Sequence, residues 1–121
     1  MPTIDADGCP INVEVSGPDN APALMLSNSL GTNLHMWDAQ MPEFTRHFRV
    51  IRYDRRGHGR SGSPPGPYSM ERFGRDVIAI LDALKIETTH WCGLSMGGMV
   101  GQWLGANAPD RVEKLVLSNT N

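Results

Sequence analysis

The pentapeptide Gly93-Leu94-Ser95-Met96-Gly97 constrains the fold of this 121-residue chain more than any other feature. It follows a short apolar run that ends at Cys92, and it opens a segment, Met96 to Asn107, that is predicted to be helical. A serine at the apex of a strand-to-helix turn needs residues without a Cβ two positions before and after it, because backbone passes close on both sides. Gly93 and Gly97 meet that need. The pattern therefore predicts a nucleophile elbow with Ser95 at its apex.

The order of predicted elements indicates an α/β fold. Residues Ile11 to Val15 alternate apolar and polar after a turn at Asp7-Gly8, which predicts an antiparallel hairpin. The apolar run Ala23 to Leu26 is typical of a strand covered on both faces. From Arg49 onward the order is strand, helix, strand, helix, strand. The sequence thus predicts a hairpin leading into parallel strands with flanking helices and right-handed crossovers.

Two helix starts are indicated by capping residues. Ser69 is expected to cap a helix whose apolar residues recur at helical spacing and which ends near Lys85. Asp38 is expected to cap an earlier helix that runs to about Phe48.

Composition excludes several classes of function. The chain has 11 Lys and Arg against 13 Asp and Glu, a formal charge of −2, which argues against a nucleic-acid partner. Its apolar runs are far shorter than the roughly 18 to 20 residues that cross a bilayer, and Met1 to Asp5 lacks the features of a leader. We therefore expect no membrane partner and a cytoplasmic location. Cys9 and Cys92 are expected to be reduced, and no metal-ligand spacing is present.

A competing motif lies after the strand that ends at Tyr53. Gly57 to Gly62 spells GxGxxG, but Pro64, Pro65 and Pro67 disfavour the helix that a dinucleotide loop must enter. Arg52, Arg55, Arg56, His58 and Arg60 form a dense basic patch around the same loop. The arginines are expected to hold the loop by bonding carboxylates, such as that of Asp54, and backbone carbonyls, while contact with an anionic substrate stays an alternative.

Three segments together carry a resemblance to a known family. They are Ser27 to Trp37, Asp54 to Ser61, and Cys92 to Gly98. The chain resembles the 3-oxoadipate enol-lactonases of the α/β-hydrolase superfamily, although Asn33 stands where that family is expected to have Asp. The resemblance implies that residues 1–121 are the amino-terminal part of an α/β-hydrolase core domain, with the cap domain and the carboxyl-terminal half outside this chain.

The resemblance also implies a site and a reaction. Ser95 would be the nucleophile, and the backbone N–H groups of Leu30 and Met96 would form the oxyanion hole. Trp37 is expected to be core or pocket wall, and it is the candidate for lining the substrate pocket. The substrate would be a small lactone or ester, 3-oxoadipate enol-lactone of aromatic catabolism, and no metal or organic cofactor would be needed. Other esterase, lactonase or perhydrolase activities, or a non-catalytic scaffold, stay open as alternatives.

The catalytic acid and histidine of such an enzyme are not identified in the chain. In the superfamily they follow the serine in the order Ser, Asp or Glu, His. All four histidines (His35, His47, His58 and His90) precede Ser95. We therefore expect the partner of this stretch to be the carboxyl-terminal half of the same enzyme, and residues 1–121 alone to be inactive.

Overall fold

The computed structural model describes residues 3–29, 32–59, 61–62 and 68–118. Within these ranges six strands form one mixed sheet in the order β1-β2-β4-β3-β5-β6. The strands are β1 (Thr3–Ala6), β2 (Cys9–Ser16), β3 (Ala23–Ser27), β4 (Arg49–Tyr53), β5 (Thr89–Leu94) and β6 (Val112–Ser118). The helices are α1 (Met41–Phe44), α2 (Met70–Ala83) and α3 (Met96–Asn107), and short 3₁₀ segments span Leu34–Gln40 and Pro109–Arg111.

The sheet has an antiparallel part and a parallel part. β1 pairs with β2 and β2 with β4 in antiparallel fashion, whereas β3 runs parallel to both β4 and β5, and β5 runs parallel to β6. The turn between β1 and β2 has positive φ at Asp7 (50°) and Gly8 (89°), as a tight hairpin turn requires. The predicted fold class, a hairpin leading into parallel strands with flanking helices, is confirmed.

Alternate residues of the central strands build cores on both faces of the sheet. Met25 and Ile51 pack in the larger cluster with the apolar face of α2 and with Val100 of α3. Leu24 and Val50 point the other way and pack with Trp37 of the first 3₁₀ segment. The sheet is thus buried on both sides at its centre, which accounts for the continuous apolar run of β3.

The predicted helix after β3 begins earlier and is less regular than expected. Its N-cap is Asn33, whose side chain accepts a hydrogen bond from the His35 N–H at 2.9 Å. The prediction that Asp38 caps a helix to Phe48 is wrong, because the Asp38 carboxylate accepts instead from the Arg52 guanidinium at 2.6 Å. α1 begins at Met41 with Pro42 in its first turn and ends at Phe44.

The prediction for α2 is closer. Ser69 is its N-cap and accepts from the Arg72 N–H at 3.1 Å. The helix ends at Ala83, and Lys85 follows in the left-handed region with φ of 58°. None of the helices in the described ranges combines the length and apolarity needed to cross a membrane.

Candidate active site

Ser95 occupies the turn between β5 and α3 in a strained backbone conformation. Its φ is 56° and its ψ is −112°, a combination that non-glycine residues rarely adopt. The turn is held from both sides: the Ser95 N–H donates to the Ser118 carbonyl of β6 at 2.8 Å, and the Ser95 carbonyl accepts from Gly98 at 2.9 Å and Met99 at 3.1 Å. The Ser95 residue is half-buried rather than enclosed. A hydroxyl at such an apex is presented at the carboxyl end of the sheet.

The two glycines of the pentapeptide lie where backbone passes within contact distance. A Cβ on Gly93 would lie 2.3 Å from the Gly97 carbonyl oxygen, and a Cβ on Gly97 would lie 2.2 Å from the Ser27 carbonyl oxygen. Neither position has room for a side chain. The same Gly97 carbonyl accepts a hydrogen bond from the buried Trp91 indole at 3.1 Å. The first turn of α3 therefore packs against both β3 and β5.

The amino end of α3 offers a donor beside the serine. Met96 is the first residue of this 12-residue helix, and its N–H donates no hydrogen bond to the part of the chain that the structure describes. The helix dipole adds partial positive charge at the same end. An oxyanion formed next to Ser95 would therefore meet an available backbone donor.

The loop after β3 lies next to the elbow because of the strand order. β3 is paired with β5 so that Ser27 lies opposite Gly93, and the chain leaves both strands at the same edge of the sheet. Leu30, the second predicted oxyanion donor, and Gly31 lie outside the described residues. Their neighbour Asn28 is 2% exposed, and Thr32 donates through its hydroxyl to the Ser29 carbonyl at 2.7 Å.

The side chain of Asn28 is clamped from two directions. Its Oδ1 accepts from the Trp37 indole Nε1 at 2.8 Å, and its Nδ2 donates to the Tyr53 carbonyl at 3.4 Å. Trp37 itself is only 8% exposed and packs in the core beneath the loop. The structure thus gives Trp37 a supporting contact to the loop, and its contact with substrate stays a prediction.

Arg55 and Arg56 of the basic patch are engaged in internal hydrogen bonds and ion pairs. The Asp54 carboxylate accepts from Asn12 Nδ2 and from the Leu34 N–H, both at 2.8 Å. Arg56 forms a two-bond ion pair with buried Asp76, at 2.9 Å for each bond. Arg55 donates instead to backbone carbonyls of the loop after β3. The expectation that arginines bond carboxylates and carbonyls here is confirmed for these two residues, while Arg60 lies outside the described residues.

The GxGxxG segment does not form a phosphate-binding turn. The Gly57 N–H donates to the Gly62 carbonyl at 2.9 Å, and the Gly62 N–H donates to the Pro10 carbonyl at 2.7 Å. α2, the next helix, begins only at Met70. The segment therefore closes on itself and on the hairpin instead of entering a helix.

The partners that the structure gives the four histidines all lie outside the elbow. His35 and His47 lie on the surface near the carboxylates of Asp38 and Glu43, His58 contacts the Arg56 carbonyl, and His90 lies 3.7 Å from Glu113. Over the described ranges no histidine is hydrogen-bonded to the Ser95 hydroxyl, and no group of three or more His, Cys, Asp or Glu side chains is placed to hold a metal ion.

A cavity lies on the sheet face that α2 and α3 leave uncovered. It has a volume of about 390 Å³ and is lined mainly by apolar side chains, among them Phe44, Phe48 and Val116. Cys92 also lines it, and burial raises the pKa of this free thiol, so that it is not an activated nucleophile. The lining does not include Ser95, and the cavity is therefore not the site that the elbow forms.

Sequence reasoning predicted only part of the support of this loop. Arg55 was expected, with the other arginines of the basic patch, to bond carboxylates and carbonyls. The particular carbonyls that it reaches, and the bonds of the Asn28 side chain to Trp37 and Tyr53, were not predicted, because hydrophobic periodicity carries no information about polar side chains that bond to backbone. The signal available was local: Asn28 stands directly after a buried strand, and Arg55 stands between two other charged residues in a segment that cannot be helical.

Comparison with known proteins agrees with this geometry. A family model described as alpha/beta hydrolase fold matches residues 22–121. The chain is 47% identical over 118 residues to 3-oxoadipate enol-lactonase 2 of Acinetobacter baylyi, covering 98% of this chain and 44% of that protein. It is 41% identical over 98 residues to a putative carbamate hydrolase RutD of Caulobacter segnis, covering 79% of this chain and 37% of that protein.

A solved structure shows the same fold. The enol-lactonase from Burkholderia xenovorans LB400 superposes with a TM-score of 0.97 at 46% identity, covering 98% of this chain and 46% of that one. The chain thus spans less than half the length of these relatives. With a family model that matches residues 22–121, an elbow after β5 and a mixed sheet, the chain belongs to the α/β-hydrolase fold family.

Proposed function

We propose that Ser95 is the nucleophile of a serine hydrolase that cleaves a lactone or carboxylic ester, and that 3-oxoadipate enol-lactone is its substrate. The single observation that carries the proposal is the backbone of Ser95: a serine with φ of 56° at the start of a helix, held by bonds to β6 and α3. Strain of this kind persists only where the surrounding structure enforces it, and it is concentrated at functional sites.

In the proposed reaction the Ser95 oxygen attacks the lactone carbonyl while its proton passes to a general base. The oxyanion that forms is stabilised by the N–H groups of Met96 and Leu30. Collapse breaks the ring C–O bond, the enol oxygen takes the proton from the base, and the enol tautomerises to the ketone. Water, deprotonated by the same base, then attacks the acyl-serine and releases the acid with the serine restored.

The general base in this proposal comes from outside residues 1–121. A serine hydroxyl is a weak nucleophile unless a neighbouring base removes its proton. None of the described histidines is bonded to Ser95, and each of them lies on a different part of the surface or sheet. We therefore propose that the carboxyl-terminal half of the same enzyme supplies the histidine and the acid.

The choice of substrate is supported by two relatives named as enol-lactonases at 47% and 46% identity. A second candidate, hydrolysis of a carbamate, is favoured by the 41% identity to a putative carbamate hydrolase. The two differ in leaving group, because an enol is expelled more readily than an amine or ammonia. A comparison of the hydrolysis rates of an enol-lactone, an aryl ester and a carbamate separates these candidates.

The two free thiols of the chain support a reducing, cytoplasmic location.

The test is Ser95→Ala in the full-length protein. The variant is expected to lose about 10⁶-fold in turnover, as loss of a triad serine does. Ser69→Ala is the matched control: it removes only the N-cap of α2 and is expected to leave turnover unchanged. Stoichiometric labelling by a serine-reactive phosphonate, lost in Ser95→Ala alone, would support the nucleophile. Near-normal turnover by Ser95→Ala would refute the assignment, and an inert Ser95 would support a non-catalytic scaffold.

A further inference from the structure

Arg55 is a buried cation with an unusual set of partners. It is 1% exposed, and its guanidinium donates to the Asn28 carbonyl at 2.8 Å through Nη1 and to the Ser29 carbonyl at 3.2 Å through Nη2. The guanidinium also lies 5.6 Å from the centre of the Phe73 ring. Among the described residues no carboxylate is within ion-pair distance of it. An arginine remains protonated in proteins, so a net positive charge is buried directly behind the loop that follows β3.

The neighbouring arginine shows the contrast. Arg56 is also buried, with 6% of its surface exposed, but it is neutralised by the Asp76 carboxylate and reaches the Ala6 carbonyl, so it ties the hairpin to α2. Burial of a cation without a counterion is unfavourable, and burial accordingly lowers the pKa of the Arg55 guanidinium, an effect that the nearby Tyr53 phenol opposes. A neutral side chain would fill the same space without that penalty. The charge of Arg55 therefore requires an explanation other than packing.

Covalent geometry connects the two accepting carbonyls to the proposed oxyanion hole. A peptide group is planar and trans, so its C=O and its N–H point in opposite directions. The peptide that carries the Ser29 carbonyl also carries the N–H of Leu30, and the peptide of the Asn28 carbonyl carries the N–H of Ser29. A guanidinium that fixes both carbonyls on one side fixes both N–H groups on the other. Hydrogen bonds to a carbonyl also polarise its peptide and make its N–H a stronger donor.

We propose that Arg55 is a positioning residue that orients and polarises the two peptides after β3, the second of which carries one of the two proposed oxyanion donors, the N–H of Leu30. The inference rests on the proposed function, since it assumes that this loop stabilises the tetrahedral intermediate. It is supported by the way the rest of the loop is held: the Asn28 side chain is bonded to Trp37 and Tyr53, which leaves the backbone carbonyls of Asn28 and Ser29 turned toward Arg55. The planar guanidinium can hold both carbonyls at once, and a lysine ammonium has no such fork.

The experiment compares Arg55→Met and Arg55→Lys with Arg56→Lys in the full-length protein. The readouts are kcat and KM for an aryl ester or enol-lactone, affinity for a trifluoromethyl ketone that forms a tetrahedral oxyanion with Ser95, and thermal unfolding. Arg55→Met is expected to lower kcat by about 10- to 100-fold, less than the loss of a whole oxyanion donor, and to weaken the ketone by a similar factor with little change in KM. Arg55→Lys, which keeps the charge but not the fork, is expected to lie between Arg55→Met and the unmodified protein.

Arg56→Lys is the control for a merely structural role, and it is expected to lower the unfolding temperature while leaving kcat and ketone affinity within a factor of about two. A folded Arg55→Met or Arg55→Lys variant with unchanged kcat and ketone affinity would overturn the inference. So would equal losses of kcat in the Arg55 and Arg56 variants. If Arg55→Met fails to fold, Arg55→Lys alone decides between these outcomes. Absence of turnover and of Ser95 labelling in the unmodified protein would refute the proposed function, and the inference with it.

Discussion

Gly97→Ala tests how tightly the elbow is fixed against the sheet. The new Cβ would lie 2.2 Å from the Ser27 carbonyl oxygen and 2.5 Å from its carbonyl carbon. Since non-bonded heavy atoms rest at about 3.5 Å, the start of α3 must move by about 1 Å away from β3. Both obstructing atoms belong to backbone in a central strand, so no side chain can rotate to relieve the clash. The Trp91 bond to the Gly97 carbonyl, 3.1 Å long, would be strained by the same movement.

The expected cost is at the upper end of overpacking, about 3 kcal/mol of unfolding free energy. Activity should fall further, because a displacement of about 1 Å of a reacting group costs about 100-fold in rate. Urea unfolding and kcat of the full-length protein measure the two effects. Gly105→Ala is the matched control in the same helix: its Cβ meets only the Leu115 Cδ1 at 3.0 Å, and that side chain is 39% exposed and free to turn. Removing a helical glycine should then be neutral or stabilising by up to about 1 kcal/mol. Equal urea midpoints and equal kcat for Gly97→Ala and the unmodified protein would refute the reasoning.

Two further perturbations probe the surroundings of the site. Trp37→Phe keeps most of the ring in the core but leaves Asn28 Oδ1 without its indole donor. We therefore expect the free energy of unfolding, measured in urea, to fall by about 1 to 3 kcal/mol, and kcat to fall as well. A variant with unchanged stability would show that the Trp37 bond does not hold the loop. Cys92 should react with iodoacetamide at pH 8 more slowly than free cysteine, because burial raises the pKa of its thiol above the ordinary value of 9.0 and so lowers the thiolate fraction. Mass spectrometry of the modified protein measures the rate of labelling. Labelling as fast as that of free cysteine would contradict the prediction.

Local chemistry accounts for what the sequence could predict. Asp7-Gly8, Ser69 and the glycines around Ser95 are residues whose own backbone preferences or side-chain bonds define a turn or a helix start, and each lies at the feature that it predicted. The start of the helix after β3 was predicted at the wrong residue because two local capping signals competed. Asn33 and Asp38 are both good caps, and the choice between them depends on Arg52, a residue of β4 that binds Asp38 from 14 positions away.

The order of the strands in the sheet cannot be predicted from the hydrophobic periodicity of the sequence. β3 is inserted between β4 and β5, although β4 and β5 follow each other as strands in the chain. An apolar run specifies burial on both faces but not which strand becomes its neighbour. This pairing matters most for the site, because it sets Ser27 opposite Gly93 and so brings the loop after β3 beside the elbow. The resemblance to a known family indicated that outcome, whereas the residues of β3 taken alone did not.

The tripeptide Asp54-Arg55-Arg56 shows why a dense charge cluster can be entirely internal. Each side chain leaves the end of β4 in a different direction: Asp54 receives the Leu34 N–H, Arg55 holds the carbonyls of the loop after β3, and Arg56 meets Asp76 on α2. The loop is therefore fixed at both of its ends by consecutive residues of one strand terminus. The described ends of the loop after β3 are thus held by the end of the neighbouring strand, in addition to the bonds that the Asn28 side chain makes to Trp37 and Tyr53.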